Sequence, residues 1–379
     1  MHIVIASDAW RPQVNGVVRS LENMAAHAAG FGARVHFITP DQFRTLPMPG
    51  YPEIRLALTT GRAMQRRLAA LQPDYVHIAT EGPVGRAVRA ACLATGRPFT
   101  TSYHTRFPEY VAARMPAPEG LIYGLLRRFH NSGAGVMVST PSLARELQGR
   151  GFRNVMHWSR GVDGVLFRPR RKGLPGLAGP LFLYVGRVAV EKNLDAFLSL
   201  DLPGTKVIVG DGPARAELAR AWPDACFPGV LTGEALAEVY AACDVFVFPS
   251  RTDTFGIVLL EALASGLPIA AFPVTGPRDV IGDSGAGALD EDLRAAALRA
   301  LRIDPALCRA WGERFTWRAS AGQFFNNIIA AHAAVESGPQ DAPGLQDAPG
   351  PQDASGSQER RPPFPLMLAP DQDGRSPWP

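Results

Sequence analysis

Apolar residues in this chain fall into short continuous runs separated by stretches with helical spacing. His2–Ser7, Arg34–Thr39, Glu53–Leu58, Tyr75–Thr80, Phe99–His104, Val136–Thr140 and Asn154–Ser159 each read as a strand. Between the first two, Val17, Val18, Leu21 and Met24 share one face of a helix predicted over 17–29, closed by Gly30 and Gly32. Strands alternating with helices at this spacing predict a parallel, doubly wound α/β sheet. A second α/β unit begins at Pro180–Val185 and continues through Lys206–Val209, Val245–Phe248 and Pro268–Ala271. Its helices are predicted over 193–200, 214–221, 234–241, 255–265, 291–301 and 305–314, and a long last helix from about 316 to 335.

The pattern divides the chain into a first domain over 1–167, a Pro/Gly/basic linker over 168–180, a second domain over 181–315 and a helix over 316–337. After Ser337 the composition changes. Six-residue repeats begin at Gly338, Gly344 and Gly350, rich in Pro and Gly and poor in apolar side chains, so 338–379 is expected to be disordered. Phe364-Pro-Leu-Met-Leu is the one apolar cluster of that tail.

A length of 379 residues suits about two domains, and 46% apolar residues suffice for their cores. No run of 18 apolar residues is present, and the start MHIVIASDAW lacks the features of a secretion signal. Cys92, Cys226, Cys243 and Cys308 form no CxxC pair, so neither a disulfide framework nor a zinc site is expected and a reducing cytoplasm fits. The net charge of +4 conceals an asymmetry: residues 1–172 carry 23 Arg and Lys against 10 Asp and Glu, residues 173–337 carry 13 against 19. A basic first half points to an anionic partner such as a phospholipid surface. Nucleic acid is not expected, since no nucleic-acid module is recognisable.

The candidate chemistry centres on Ser250–Gly266. Asp253 lies in a polar loop after the strand Val245–Phe248, and Glu261 lies eight positions later on the following helix. A helical path would separate them by about 12 Å, too far to share a proton. They suit hydroxyls on either side of a diphosphate held at the helix N-terminus, the layout of a nucleotide sugar. A helix cap and a solvated glutamate are the alternative. Other residues at strand ends, where a doubly wound sheet binds ligands, strengthen the first reading. Gly16 lies in the first strand-to-helix connection, where glycine permits close approach, or is a plain loop glycine. His104 ends a strand and either addresses a ligand or caps a helix. Gly186 and Arg187 follow the strand 180–185, Lys192 enters the next helix, and Gly210 follows the strand 206–209. Two cations beside a helix N-terminus make a diphosphate site, or a solvated surface. No G-x-G-x-x-G follows a strand and no Walker A motif occurs. Asp290-Glu291-Asp292 reads as a helix cap, so a metal-independent mechanism, with cations neutralising charge, is expected.

Gly186-Arg187 with Lys192, and Asp253-x7-Glu261 before Ala-Ser-Gly-Leu-Pro, resemble retaining glycosyltransferases of family four, with the GT-B fold of two Rossmann-like domains facing across a cleft. Asn15-Gly16-Val-Val-Arg-Ser, Tyr103-His104-Thr105-Arg106-Phe107-Pro-Glu-Tyr110 and Arg160-Gly-Val-Asp163 are similar to its α-mannosyltransferase and glycolipid-forming branches. The resemblance covers about 1–335. It implies that Arg187 and Lys192 bind the donor diphosphate and that Glu261 holds the ribose. It further implies that Phe255, Gly256 and Ile257 offer backbone N–H groups to phosphate, that Gly16 approaches from the other domain, and that His104 contacts the hexose. Asp253 replaces the family's usual glutamate at the hexose. The implied donor is GDP-mannose, with a UDP-sugar as alternative, and the implied acceptor a lipid or lipid-linked glycan, with no cofactor. A GT-B epimerase and a non-catalytic nucleotide-sugar sensor are the rival classes; the intact Arg187, Lys192 and Glu261 disfavour both.

Overall fold

The computed structural model describes residues 1–13, 15–48, 51–104 and 119–337. The expectations for the tail after 337 and for Thr105–Tyr110 fall outside these residues. The first sheet comprises β1 (His2–Ala6), β2 (Arg34–Ile38), β5 (Tyr75–Ile78), β6 (Thr100–Ser102), β7 (Gly135–Val138) and β8 (Val155–His157), in the order β2-β1-β5-β6-β7-β8. The second comprises β9 (Leu181–Val185), β10 (Thr205–Val209), β11 (Cys226–Gly229), β12 (Val245–Phe248), β13 (Ile269–Ala271) and β14 (Gly287–Leu289), in the order β11-β10-β9-β12-β13-β14. All pairings in both are parallel. Every residue of β9 and β12 is buried, which is why these strands read as unbroken apolar runs.

Both orders reverse direction once, between β1 and β5 in one sheet and between β9 and β12 in the other. A crevice opens at such a reversal, beyond the carboxyl ends of the strands. The loops after β1, β9 and β12 are those that carry Gly16, Arg187 with Lys192, and Asp253.

Three expected features differ. The strand expected over Glu53–Leu58 belongs to no parallel sheet; Tyr51–Ala57 (β4) pairs antiparallel with Thr45–Met48 (β3). Adjacent antiparallel strands need only a short connection, whereas joining the parallel sheet would require a crossover. The strands β11 and β14 escaped the apolar pattern because both are short edge strands, only partly buried. The helix expected from Phe255 begins at Ile257, after Gly256 in a left-handed conformation at φ 84°.

The last helix, Trp317–Glu336, returns to the first domain. Its Phe324, Phe325 and Ile328 are buried with Ile3, Ile5, Leu21 and Met24. Each such side chain contributes about 1.5–3 kcal/mol, so the helix is part of the first core. The chain thus crosses between domains twice, and the crossings touch. The Val162 N–H donates to the Phe315 carbonyl at 2.9 Å, and a Cβ on Gly161 would stand 2.4 Å from the Trp317 nitrogen. Arg309 clamps this junction through the carbonyls of Phe167 (2.7 Å), Ala264 (2.6 Å) and Gly164 (3.0 Å). Among the described residues no helix is long and apolar enough to cross a membrane.

Candidate active site

The loop after β9 is shaped by backbone packing. A Cβ on Gly186 would lie 2.7 Å from the Tyr184 hydroxyl, which donates to the Arg187 carbonyl at 2.9 Å. A Cβ on Gly210 would lie 1.9 Å from the Gly186 carbonyl oxygen. Glycine at 210 is therefore required by loop-on-loop contact, whatever it does for a ligand. The Asn193 side chain, at φ 56°, donates to the Pro249 carbonyl at 3.1 Å and ties the loop after β9 to the loop after β12. That tie delivers Lys192 to Asp253, Nζ to Oδ1 at 2.5 Å. Burial raises the Asp253 pKa, but the Lys192 ammonium beside it outweighs burial and the net shift is downward. Asp253 is thus held ionised beside the Lys192 side chain, while its Oδ2 is buried with no hydrogen-bond partner among the described residues.

The helix Ile257–Ala264 has no side-chain cap, so the amides at its start are open to an anion. Phe255 is buried in the second core and has only its backbone to offer the cleft. Glu261 is 1% exposed. Its Oε1 lies 2.6 Å from Arg19 Nη2 of the first domain, and its Oε2 accepts from the Tyr240 hydroxyl at 2.9 Å. This excludes the reading of Glu261 as a solvated helix residue. Burial pushes its carboxyl above the ordinary value, although Arg19 and Tyr240 pull the other way.

The first domain meets this edge along its own helix, Gly16–Ala26. The Asn15 side chain caps it through the N–H groups of Val17 and Val18. A Cβ on Gly16 would sit 3.4 Å from Ile257 Cδ1, and one turn further Arg19 reaches Glu261. The two helices therefore lie with their N-termini side by side. Asp8 anchors the loop before Gly16 by accepting from the N–H groups of Val84 (2.7 Å) and Gly85 (3.1 Å).

His104 follows β6. Its carbonyl accepts from Thr254 Oγ1 at 2.9 Å, its Nδ1 faces Arg160 Nη2 at 3.1 Å, and its Nε2 is buried with no hydrogen-bond partner among the described residues. Burial first, then the Arg160 charge, hold the ring well below the usual histidine pKa, so it is neutral. Further contacts close the same seam: Ser139 Oγ donates to the Thr254 carbonyl at 3.2 Å, and Ser142 donates to Asp279 through N–H (3.1 Å) and hydroxyl (2.6 Å). Among the described residues, no group of three or more His, Cys, Asp or Glu is placed to hold a metal ion.

The structure thus gathers Gly16, His104, Lys192, Asp253, Phe255, Gly256, Ile257 and Glu261 along one interdomain seam, with Gly186, Arg187 and Gly210 in the loops that flank it. Sequence reasoning gave no role to Arg19, Tyr240, Thr254 or Arg160. Arg19 carried one usable signal: it sits one helical turn after Gly16, on the face that meets the cleft.

Known proteins show the same organisation. The family model for glycosyltransferase family 4 matches residues 14–164, and that for glycosyl transferases group 1 matches residues 179–303. The GDP-mannose-dependent alpha-mannosyltransferase of Mycobacterium tuberculosis is 32% identical over 309 residues, covering 74% of this chain and 81% of that protein. This chain belongs to glycosyltransferase family 4. A further relative of this family 4 enzyme is the sulfoquinovosyl transferase of Arabidopsis thaliana, 27% identical over 84% of this chain and 71% of that protein. The sucrose-phosphate synthase of Thermosynechococcus elongatus superposes with a TM-score of 0.69 at 21% identity, over 87% of this chain and 99% of that one. The glycosyltransferase therefore has the GT-B fold, as its two facing parallel sheets require.

One consequence concerns stability. Because the Glu261 carboxyl titrates above its unfolded value, its contribution to stability is present at low pH and lost as pH rises through the folded value. Glu261→Gln keeps a partner for the Tyr240 hydroxyl and removes the buried charge. The variant is expected to melt at or above the wild-type temperature at pH 7, measured by calorimetry; a clear drop would mean that the ion pair with Arg19 outweighs the burial of Glu261.

Proposed function

We propose that this family 4 glycosyltransferase moves a hexose from a nucleoside-diphosphate sugar, first GDP-mannose, to a lipid or lipid-linked glycan with retention of anomeric configuration. The observation that carries the donor site is Glu261, a carboxylate with both oxygens engaged, on the same short helix whose uncapped start lies beside Gly16. Glu261 is a ready acceptor for the two ribose hydroxyls, which would displace Arg19. Arg187, Lys192 and the amides of Phe255, Gly256 and Ile257 take the diphosphate, and Lys192 exchanges Asp253 for phosphate. Gly16 supplies close backbone approach from the opposite side. Asp253, released from Lys192, accepts from a hexose hydroxyl, and His104 faces the same sugar.

The reaction breaks the bond from the anomeric carbon to the phosphate oxygen and forms one from that carbon to the acceptor oxygen on the same face. The acceptor's proton passes to the departing phosphate oxygen. The protein's part is to neutralise the charge growing on that phosphate with Arg187, Lys192 and a helix N-terminus, and to exclude water through domain closure. GDP-mannose ranks first because curated relatives at 32% and 30% identity are named GDP-mannose-dependent alpha-mannosyltransferases. A UDP-sugar glycolipid synthase is the second reading. It is favoured by the sulfoquinovosyl transferase, which covers 84% of this chain, and by an alpha-monoglucosyldiacylglycerol synthase at 25% identity.

The lipid acceptor and a peripheral place at a cytoplasmic membrane face find support in the outer layer of the first domain. The helices Gly61–Leu71 and Pro83–Ala94 carry Arg but no acid, and pack beside Glu119–His130. Arg62, Arg66, Arg86, Arg127 and Arg128 are exposed there, together with Leu93 (47%), Leu121 (62%) and Leu125 (63%). Basic residues near an anionic bilayer contribute about 1 kcal/mol each, screened by salt.

Two measurements check these assignments. In thermal melts with GDP, UDP and ADP, the matching nucleotide at 100-fold its Kd adds about 2.7 kcal/mol of stability. GDP is expected to give the largest shift; a UDP response would select the second reading, and no response would remove the donor site. In flotation with phosphatidylglycerol liposomes at low salt, the wild type is expected to float and Arg62→Glu/Arg66→Glu to remain in the dense fraction. Equal behaviour of the two would contradict the membrane face.

A further inference from the structure

The Arg160 guanidinium is buried where the chain leaves the first domain. Its Nη1 donates to the Trp158 carbonyl at 2.6 Å and the Ser159 carbonyl at 3.1 Å, and its plane lies 4.2 Å from the centre of the Trp158 ring. Nη2 is directed at His104 Nδ1, 3.1 Å away. A guanidinium has five N–H donors and no acceptor, and it stays protonated in proteins. Burial lowers its pKa only to about 9. The His104 Nδ1 must therefore accept, which leaves the ring neutral with its hydrogen on Nε2.

Other titratable groups near this ring are already engaged. His77 spends Nδ1 on Thr100 (2.9 Å) and Nε2 on Ser102 (3.0 Å). His130 spends Nδ1 on Thr101 (2.9 Å) and Nε2 on Glu81 (3.0 Å). With those ring nitrogens taken, Arg160 is left to set the proton position of His104. The ring is steadied edge-on against Trp158 at 5.7 Å, and its carbonyl is tied to Thr254 of the second domain. The Nε2–H is then a buried donor with no partner among the described residues, next to the loop that carries Asp253. Such a donor is costly unless a ligand accepts from it.

We propose that Arg160 is a positioning residue that fixes His104 as the Nε2–H tautomer, so that His104 donates a hydrogen bond to an oxygen of the transferred hexose and takes up no proton. The role rests on the functional reading above, in which His104 faces that sugar. It complements the transfer chemistry: a histidine locked as donor does not compete with the departing phosphate for the proton.

The test is a two-bond 1H–15N correlation of histidine-labelled full-length protein, with the His104 signals assigned by their loss in His104→Gln. The wild type is expected to show a protonated Nε2 and a bare Nδ1 without titration between pH 5.5 and 8. Arg160→Met is expected to mix the two tautomers and let the ring titrate, while Arg160→Lys, which keeps a cationic donor, restores the wild-type pattern. The Met variant should lower kcat about tenfold or more and leave the GDP Kd within about twofold. A wild-type Nδ1–H or imidazolium signal overturns the proposal, as does an unchanged tautomer in Arg160→Met. If Arg160→Met does not fold, the wild-type Nδ1 decides: a 15N shift moved to that of a hydrogen-bonded acceptor supports the proposal, and one at the unbonded value overturns it. The tautomer and titration readouts need no donor, so they stand apart from the functional reading. Adding GDP-mannose or UDP-glucose tests that reading separately: the Nε2–H signal should move with the sugar nucleotide and not with GDP or UDP, and an unmoved signal removes the sugar contact on which the role of Arg160 depends.

Discussion

The ion pair between Arg19 and Glu261 is the contact on which the site's geometry turns. It joins a helix of the first domain to a helix of the second, and it does so with a carboxylate that water scarcely reaches. A charge in that position is expensive unless partners surround it. Arg19 beside one oxygen and Tyr240 on the other supply those partners. The pair Lys192–Asp253 repeats the arrangement a short way along the cleft. Under the proposed function a nucleotide sugar would part both pairs, its hydroxyls taking the carboxylates and its diphosphate taking Lys192.

The double crossing of the chain holds the two domains in register. Gly161 lies against the start of the last helix so closely that a methyl group would collide with its backbone. Arg309 gathers carbonyls from the connecting segment and from the helix that carries Glu261. The last helix completes the core of the first domain. The seam that seats Glu261 on Arg19 also seats Thr254 on the backbone of His104.

Much of this was legible in the sequence, for identifiable reasons. Strands buried on both faces, such as β9 and β12, leave unbroken apolar runs, and the residues just past them are placed at the cleft by the topology alone. Asp253, Arg187 and Lys192 were singled out as candidates that way, and Glu261 by its spacing from Asp253 on the helix that follows. The antiparallel pairing of Thr45–Met48 was not, because a strand with Leu46 and Met48 exposed has no buried-strand signature. Arg19 and Arg160 stood inside quoted motifs without a role of their own and Tyr240 was not singled out, for a different reason. Their parts come from side-chain partners 242, 21 and 56 positions away in the chain, and no local pattern encodes a contact of that range. The glycine at 210 shows the converse: its position suggested ligand approach, while the Gly186 carbonyl beside it already demands a residue without a side chain.

The most direct test of this account is a crystal structure of the protein with a bound nucleoside diphosphate. The account predicts the ribose hydroxyls within hydrogen-bond distance of Glu261, Arg19 displaced from that carboxylate, and Lys192 turned from Asp253 to the phosphate. A nucleotide bound with its ribose elsewhere, while the Arg19–Glu261 and Lys192–Asp253 pairs persist, would contradict it.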